Sequence, residues 1–155
     1  MAKKTEMMGF EKNKRFAKEY NNIRTYANIG GKDYNFRSKA EFKVADYLQL
    51  LKTSYLIKDW AYEQTKFCFP DKDNPVMTWL VDFDVLENDG SFYYIEYKGY
   101  VEPSVKRKLN LLAKYRPEVK LDMVFGSNRD LKRLGVRATA CCRRVCTLGE
   151  LTKGI

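Results

Sequence analysis

The sequence predicts a mixed α/β domain with the element order α-β-β-β-α-β. Three observations carry this. A capped, helix-periodic segment starts at Ser38, aromatic and β-branched runs divided by turn residues fill the region from 60 to 98, and a proline-started helix then leads into an alternating apolar run that stops at Gly126. The first helix is expected from about Ser38 to Lys52. Ser38 offers an N-cap with Glu41 three residues on, and Ala40, Val44, Tyr47, Leu48 and Leu51 recur at helical spacing.

Strands are expected next. The run 60–69, WAYEQTKFCF, reads as one strand, and the breaker cluster PDKDNP at 70–75 closes it. The run 78–86, TWLVDFDVL, reads as a second strand, with Trp79, Val81, Phe83 and Val85 on one face and Asp82 and Asp84 on the other. Asn88-Asp89-Gly90 is a turn signal. SFYYIEYK at 91–98 should therefore pair back on the second strand as an antiparallel hairpin. Pro103 starts a helix carrying Val105, Leu109 and Leu112, and Arg116-Pro117 stops it. VKLDMVF at 119–125 is the fourth strand, with a short helix near Arg129 to Leu134. Residues 1–35 read as a basic N-terminal arm, with a short helix near Lys12 to Tyr20 and a loop through Gly30-Gly31. Residues 36–155 form the domain proper, its core about 36–130 and its end a basic tail.

Composition narrows the chemistry. The chain has 155 residues, 29 basic and 20 acidic side chains, a net charge of +9 and no histidine. Catalytic Ser-His-Asp triads, Cys-His pairs and histidine zinc sites are excluded, so any chemistry must rest on carboxylates, lysines or metal ions. The charge is segregated. Residues 1–40 carry net +6, residues 41–97 net −6 and residues 98–155 net +9. An acidic centre between basic flanks suggests gathered carboxylates and an anionic partner, most simply nucleic acid. Cys68, Cys141, Cys142 and Cys146 lack the paired spacing of a zinc site and read as reduced thiols. No apolar run is long enough to span a membrane, and MAKKTEMMGF lacks a signal-peptide core, so the expected setting is cytoplasmic.

The candidate site follows from strand alternation. Glu96 and Lys98 share a face, and in the hairpin Asp82 can stand opposite Glu96. Two carboxylates so close need a neutralising partner, and their hard oxygens suit Mg²⁺, or Mn²⁺. Glu41, on the first helix, is a further candidate either for a direct metal contact or for a position just outside the ion's immediate ligands. Lys98 would polarise a water or balance developing charge, which points to hydrolysis of a phosphodiester. Asp84 and Gln64 are accessory candidates.

This D-x13-E-x-K pattern resembles the core of the PD-(D/E)xK nuclease superfamily. Within it the chain is similar to the junction-resolving phage endonuclease I family over roughly residues 36–130. F-R-S-K-A-E at 36–41 matches that family's F-R-S-x-x-E, Asp82-Phe83 its D-F and Glu96-Tyr97-Lys98-Gly99 its E-x-K-G. Lys108, Leu111, Pro117-Glu118, Val124-Phe125, Ser127 and Arg129 then fall in order. Val81 stands where the family has proline, the hairpin is longer and carries Asp84, and the chain after about 130 departs from the family.

The resemblance implies a restriction-endonuclease-like core and a catalytic set of Glu41, Asp82, Glu96 and Lys98. It implies magnesium-dependent cleavage of DNA, branched or duplex, with Holliday junctions the substrate of that family. It also implies a homodimer with exchanged segments, bridged here through Phe69 to Val76, in which Glu41 would serve the partner's site. A phage-encoded protein would work in the host cytoplasm. A sequence-specific homing or nicking endonuclease of the same superfamily is the alternative, and a non-cutting basic DNA-binding protein is a further one. DNA contacts are expected from Lys106, Arg107, Lys108, Lys114 and Arg116, from Lys14 and Arg15 of the arm, and from tail residues such as Arg143 and Arg144.

Overall fold

A computed structural model describes residues 23–70 and 77–153. The body is a five-stranded mixed sheet with helices on both faces. Strand β1 (Thr25–Ile29) and β2 (Lys32–Phe36) form a hairpin, and helix α1 (Lys39–Thr53) follows. Strands β3 (Asp59–Tyr62), β4 (Lys66–Phe69), β5 (Met77–Leu80), β6 (Phe83–Leu86) and β7 (Phe92–Lys98) come next. Helix α2 (Pro103–Tyr115), strand β8 (Leu121–Phe125), helices α3 (Asn128–Leu134) and α4 (Val136–Thr139), strand β9 (Arg144–Thr147) and helix α5 (Leu148–Thr152) complete the chain.

The main sheet runs β3-β6-β7-β8-β9. β3, β6 and β7 pair antiparallel, and β8 and β9 join in parallel. Helix α2 is the crossover between the parallel strands β7 and β8, as a parallel connection requires. The predicted succession α-β-β-β-α-β survives in α1, β3, β6, β7, α2 and β8. Alternation along β6 and β7 divides the side chains between two cores. Phe83, Val85, Tyr93 and Ile95 face α1, where Val44, Ala45 and Leu48 meet them. Leu121, Met123 and Phe125 of β8 face α2, where Val105, Leu109 and Leu112 pack with Phe67, Phe69 and Trp79. Truncating a fully buried residue such as Leu48 or Leu109 to alanine should cost ~2–5 kcal/mol.

The structure corrects the expected elements in three places. The runs 60–69 and 78–86 are not single strands. Each breaks midway, giving β3 and β4 from the first and β5 and β6 from the second. The breaks face one another, since the Val81 N–H donates to the Thr65 carbonyl at 3.1 Å and the Glu63 N–H to the Asp82 carbonyl at 2.8 Å. The ladder bends there, with Glu63 at a left-handed φ of 49°. Paired β4 and β5 thereby leave the main sheet as a separate ribbon.

The second correction concerns the arm. Its last part is the β1–β2 hairpin, whose Gly30 and Gly31 adopt φ of 61° and 85° in the tight turn. This hairpin is part of the packed body, because Ile29 and Phe36 are buried in the α1-side core. The third is the tail, which supplies β9 and α5 to the sheet and core, with Cys146 and Leu151 buried. The expected helix near Lys12 to Tyr20 and most of the bridge segment Phe69 to Val76 lie outside the described residues.

Candidate active site

Helix α1 starts where its sequence says it should. The Ser38 side chain accepts the Glu41 N–H at 3.2 Å, closing the N-terminal turn. The return half of the expected capping box is displaced by one residue, because Glu41 Oε2 accepts the Arg37 N–H at 3.2 Å. Tyr62 of β3 donates its hydroxyl to the same oxygen at 2.5 Å. The buried Glu41 carboxylate is thus fixed at the helix N-terminus, where the peptide dipoles favour negative charge.

Asp82 lies at the bend between β5 and β6, level with Glu96 of β7. Their bonds cross. The Asp82 N–H donates to Glu96 Oε2 at 3.2 Å, and the Tyr97 N–H donates to Asp82 Oδ2 at 2.7 Å. Both carboxylates are buried. Burial first, and then the negative charge of Glu96, push the Asp82 carboxyl well above the usual carboxylate range, and the Tyr97 N–H only partly opposes this. Lys98 Nζ lies 2.7 Å from Glu96 Oε1. Burial alone would lower the Lys98 ammonium, but Glu96 beside it and Asp82 outweigh burial and raise it, so the lysine stays charged.

These groups share one cavity of about 790 Å³. Glu41, Asp82, Glu96 and Lys98 line it, together with Arg37, Lys39, Trp79, Tyr97, Tyr100 and Lys108. Gly126 stays side-chain-free for a steric reason, since a Cβ there would sit 2.8 Å from the Tyr97 hydroxyl. The acidic centre therefore has cationic walls: Arg37 and Lys39 at the start of α1, and Lys108 from α2.

Scans of family models, curated proteins and solved structures return no match for this chain.

The oxygen donors fit a small hard cation. Among the described residues no three acidic or cysteine side chains come close enough to enclose an ion by themselves. Mg²⁺ does not need such a cage, because it keeps several waters and is held through one or two carboxylates. The Asp82–Glu96 pair, whose repulsion Lys98 and two backbone N–H groups only partly offset, meets that requirement.

The accessory candidates lie elsewhere. Asp84 accepts from Thr65 Oγ1 at 2.5 Å and does not line the cavity, because it sits opposite Tyr94, one pleat further along the hairpin. Gln64 is exposed at the β3–β4 bend and donates back to the Tyr62 carbonyl at 3.1 Å. Of the expected DNA contacts on α2, only Lys108 reaches the cavity. Lys106 and Lys114 are exposed, Arg107 is half-buried, and Arg116 pairs with Glu118 over the Phe67 ring. Arg143 is committed to the fold. It forms a two-pronged bond to buried Asp122 at 2.7 and 2.6 Å and lies 3.7 Å from the centre of the Tyr93 ring. Lys14 and Arg15 lie outside the described residues.

Sequence reasoning missed Arg37, Lys39 and Tyr62. The first two flank a recognised N-cap, so they were findable as residues beside a helix start. Tyr62 carries no local signal, since its role depends on β3 passing the N-terminus of α1.

Proposed function

We propose that this chain is a magnesium-dependent endodeoxyribonuclease with a preference for branched DNA. The observation that carries the reading is the convergence of Glu41, Asp82, Glu96 and Lys98 on one cavity bordered by Arg37, Lys39 and Lys108. A non-cutting DNA binder has no need of buried carboxylates beside a polyanion, which they would repel.

Asp82 and Glu96 would hold the ion, with Glu41 as a further carboxylate in the same cavity. Bound there, Mg²⁺ supplies a water of lowered pKa and neutralises charge on the scissile phosphate. The chain's own groups do the rest. Lys98, kept charged by Glu96, offers its ammonium to the attacking water or to a phosphate oxygen as charge accumulates. Arg37, Lys39 and Lys108 seat the backbone phosphates on either side. The crossed amide bonds hold the two carboxylates in place, so little reorganisation is needed as the reaction proceeds.

Branched DNA and a homodimer come from the resemblance to junction-resolving phage nucleases, in which two sites make paired cuts. Glu41 already lines the cavity of its own chain, so exchange of segments is not needed to bring it to Asp82.

The decisive experiment offers the protein a four-way junction, supercoiled plasmid and linear duplex, with Mg²⁺ or EDTA, alongside Lys98→Ala. Paired junction cuts that need Mg²⁺ and Lys98 are expected. Discrete cuts on linear duplex without junction preference would move the reading to a sequence-specific or nicking enzyme. No cleavage of any substrate would remove the nuclease assignment.

A further inference from the structure

The bend after β3 touches three cavity residues at once. Tyr62 donates its hydroxyl to Glu41 at 2.5 Å. Glu63, the next residue, sets its Oε1 2.8 Å from the Arg37 guanidinium. That contact is an ion pair and not an aligned hydrogen bond, since the buried Oε1 has no donor in line. The Glu63 N–H donates to the Asp82 carbonyl at 2.8 Å.

In a regular strand, side chains 62 and 63 would point to opposite faces. Here both reach the start of α1. The reason is backbone conformation: Glu63 has φ of 49°, a strained region that glutamate rarely adopts. The same bend separates β4 from the main sheet. The Tyr62 ring is itself locked, 4.9 Å from Phe36 and 5.3 Å from Phe83 between ring centres.

We propose that the Tyr62–Glu63 corner is a positioning brace that holds the Glu41 carboxylate and the Arg37 guanidinium in register with Asp82. The proposal rests on the metal-and-phosphate reading of the cavity and adds a division of labour to it. Tyr62 serves the metal side through Glu41. Glu63 serves the substrate side through Arg37. Neither residue touches the reacting atoms.

The two halves separate experimentally. Tyr62→Phe keeps the ring and removes only the hydroxyl. Glu63→Asn suits the left-handed φ and withdraws the carboxylate from Arg37. Mn²⁺ binding is measured by calorimetry on the full chain without DNA, alongside melting temperature and plasmid-cleavage kinetics in Mg²⁺. Tyr62→Phe should weaken Mn²⁺ binding about tenfold, the loss typical of a group that orients a metal-binding side chain. It should add little to Glu41→Gln in the double variant. Glu63→Asn should leave Mn²⁺ affinity unchanged and raise the plasmid KM about threefold, as expected for a partly exposed ion pair.

Wild-type Mn²⁺ affinity in Tyr62→Phe would overturn the metal side of the brace. Unchanged KM in Glu63→Asn would overturn the substrate side. Losses that only track a fall in melting temperature would reduce the corner to a structural bend. A wild-type protein that binds Mn²⁺ but cuts no DNA would remove the nuclease reading, while the Tyr62→Phe affinity shift would still support the brace. A wild-type protein that binds no Mn²⁺ would overturn both.

Discussion

Asp82 and Glu96 each take a hydrogen bond from the other's strand: the Asp82 N–H reaches Glu96 Oε2 at 3.2 Å, and the Tyr97 N–H reaches Asp82 Oδ2 at 2.7 Å. The backbone thus holds together two buried carboxylates that electrostatics would drive apart. A fold does not keep such a pair for stability, because like charges in a dry site oppose folding.

Removing one of those charges should therefore stabilise the metal-free protein. Asp82→Asn is expected to raise the melting temperature in EDTA by a few degrees, on the order of 1 kcal/mol. Mg²⁺ should raise the wild-type melting temperature and leave that of Asp82→Asn nearly unchanged. Thermal melts with and without Mg²⁺ check both. A less stable Asp82→Asn in EDTA would contradict the repulsion argument.

Lys98→Ala should lower cleavage by about 10²-fold or more, the usual loss for a positioned group that stabilises transition-state charge. Its melting temperature should also fall, because buried Glu96 loses its ion-pair partner. Single-turnover cleavage at saturating DNA isolates the chemical step. A defect confined to KM would assign Lys98 to binding alone.

Lys39 and Lys108 flank the carboxylates from different elements, and each is expected to meet a phosphate. Alanine at either should lower the slope of log affinity against log salt by about 1. Fluorescence anisotropy with labelled junction DNA across a salt series, in EDTA so that the DNA stays uncut, measures this. An unchanged slope would remove the residue from the DNA surface.

Arg143 should behave in the opposite way. Its guanidinium is spent on buried Asp122 and the Tyr93 ring, so Arg143→Ala leaves a carboxylate stranded in the core. A loss of about 2–4 kcal/mol is expected in urea unfolding, with the salt slope for DNA unchanged. A reduced slope at intact stability would return Arg143 to the DNA-binding set.

The neighbouring thiols Cys141 and Cys142 give a pH-dependent signature. The adjacent Cys142 thiol draws the Cys141 thiol down to about 7, against the opposing effect of burial. The thiolate is the nucleophile, so alkylation by iodoacetamide should rise through pH 7 and level off above it. Cys142→Ala removes that neighbouring thiol, and the rise should move up toward the ordinary thiol range near about 8.5. Mass spectrometry of the modified peptide against pH reads this directly.

Much of the site was legible in the sequence because it uses short-range rules. Strand alternation put Glu96 and Lys98 on one face, the turn at Asn88-Asp89-Gly90 set the hairpin register that brings Asp82 level with Glu96, and the Ser38 cap fixed where Glu41 leaves its helix. Asp84 misled for the same reason. Alternation gives a face but not a depth, and one pleat further along Asp84 meets Thr65 and not the cavity. The bend that splits two expected strands was also illegible, because both runs keep strand-like composition across it.

The sequence by itself determined the starts of α1 and α2, the β6–β7 hairpin and the segregation of charge into an acidic centre with basic flanks. Each depends on residues close together in the chain, whose propensities and spacing act locally. Only the tertiary structure decided which charges share the cavity. Lys108 lines it while Arg143 is consumed by Asp122, and Tyr62 reaches Glu41 across 21 positions of sequence. Those outcomes depend on how α1, α2, β3, β7, β8 and β9 pack against one another, and packing is fixed by the joint burial of two cores that no local pattern encodes.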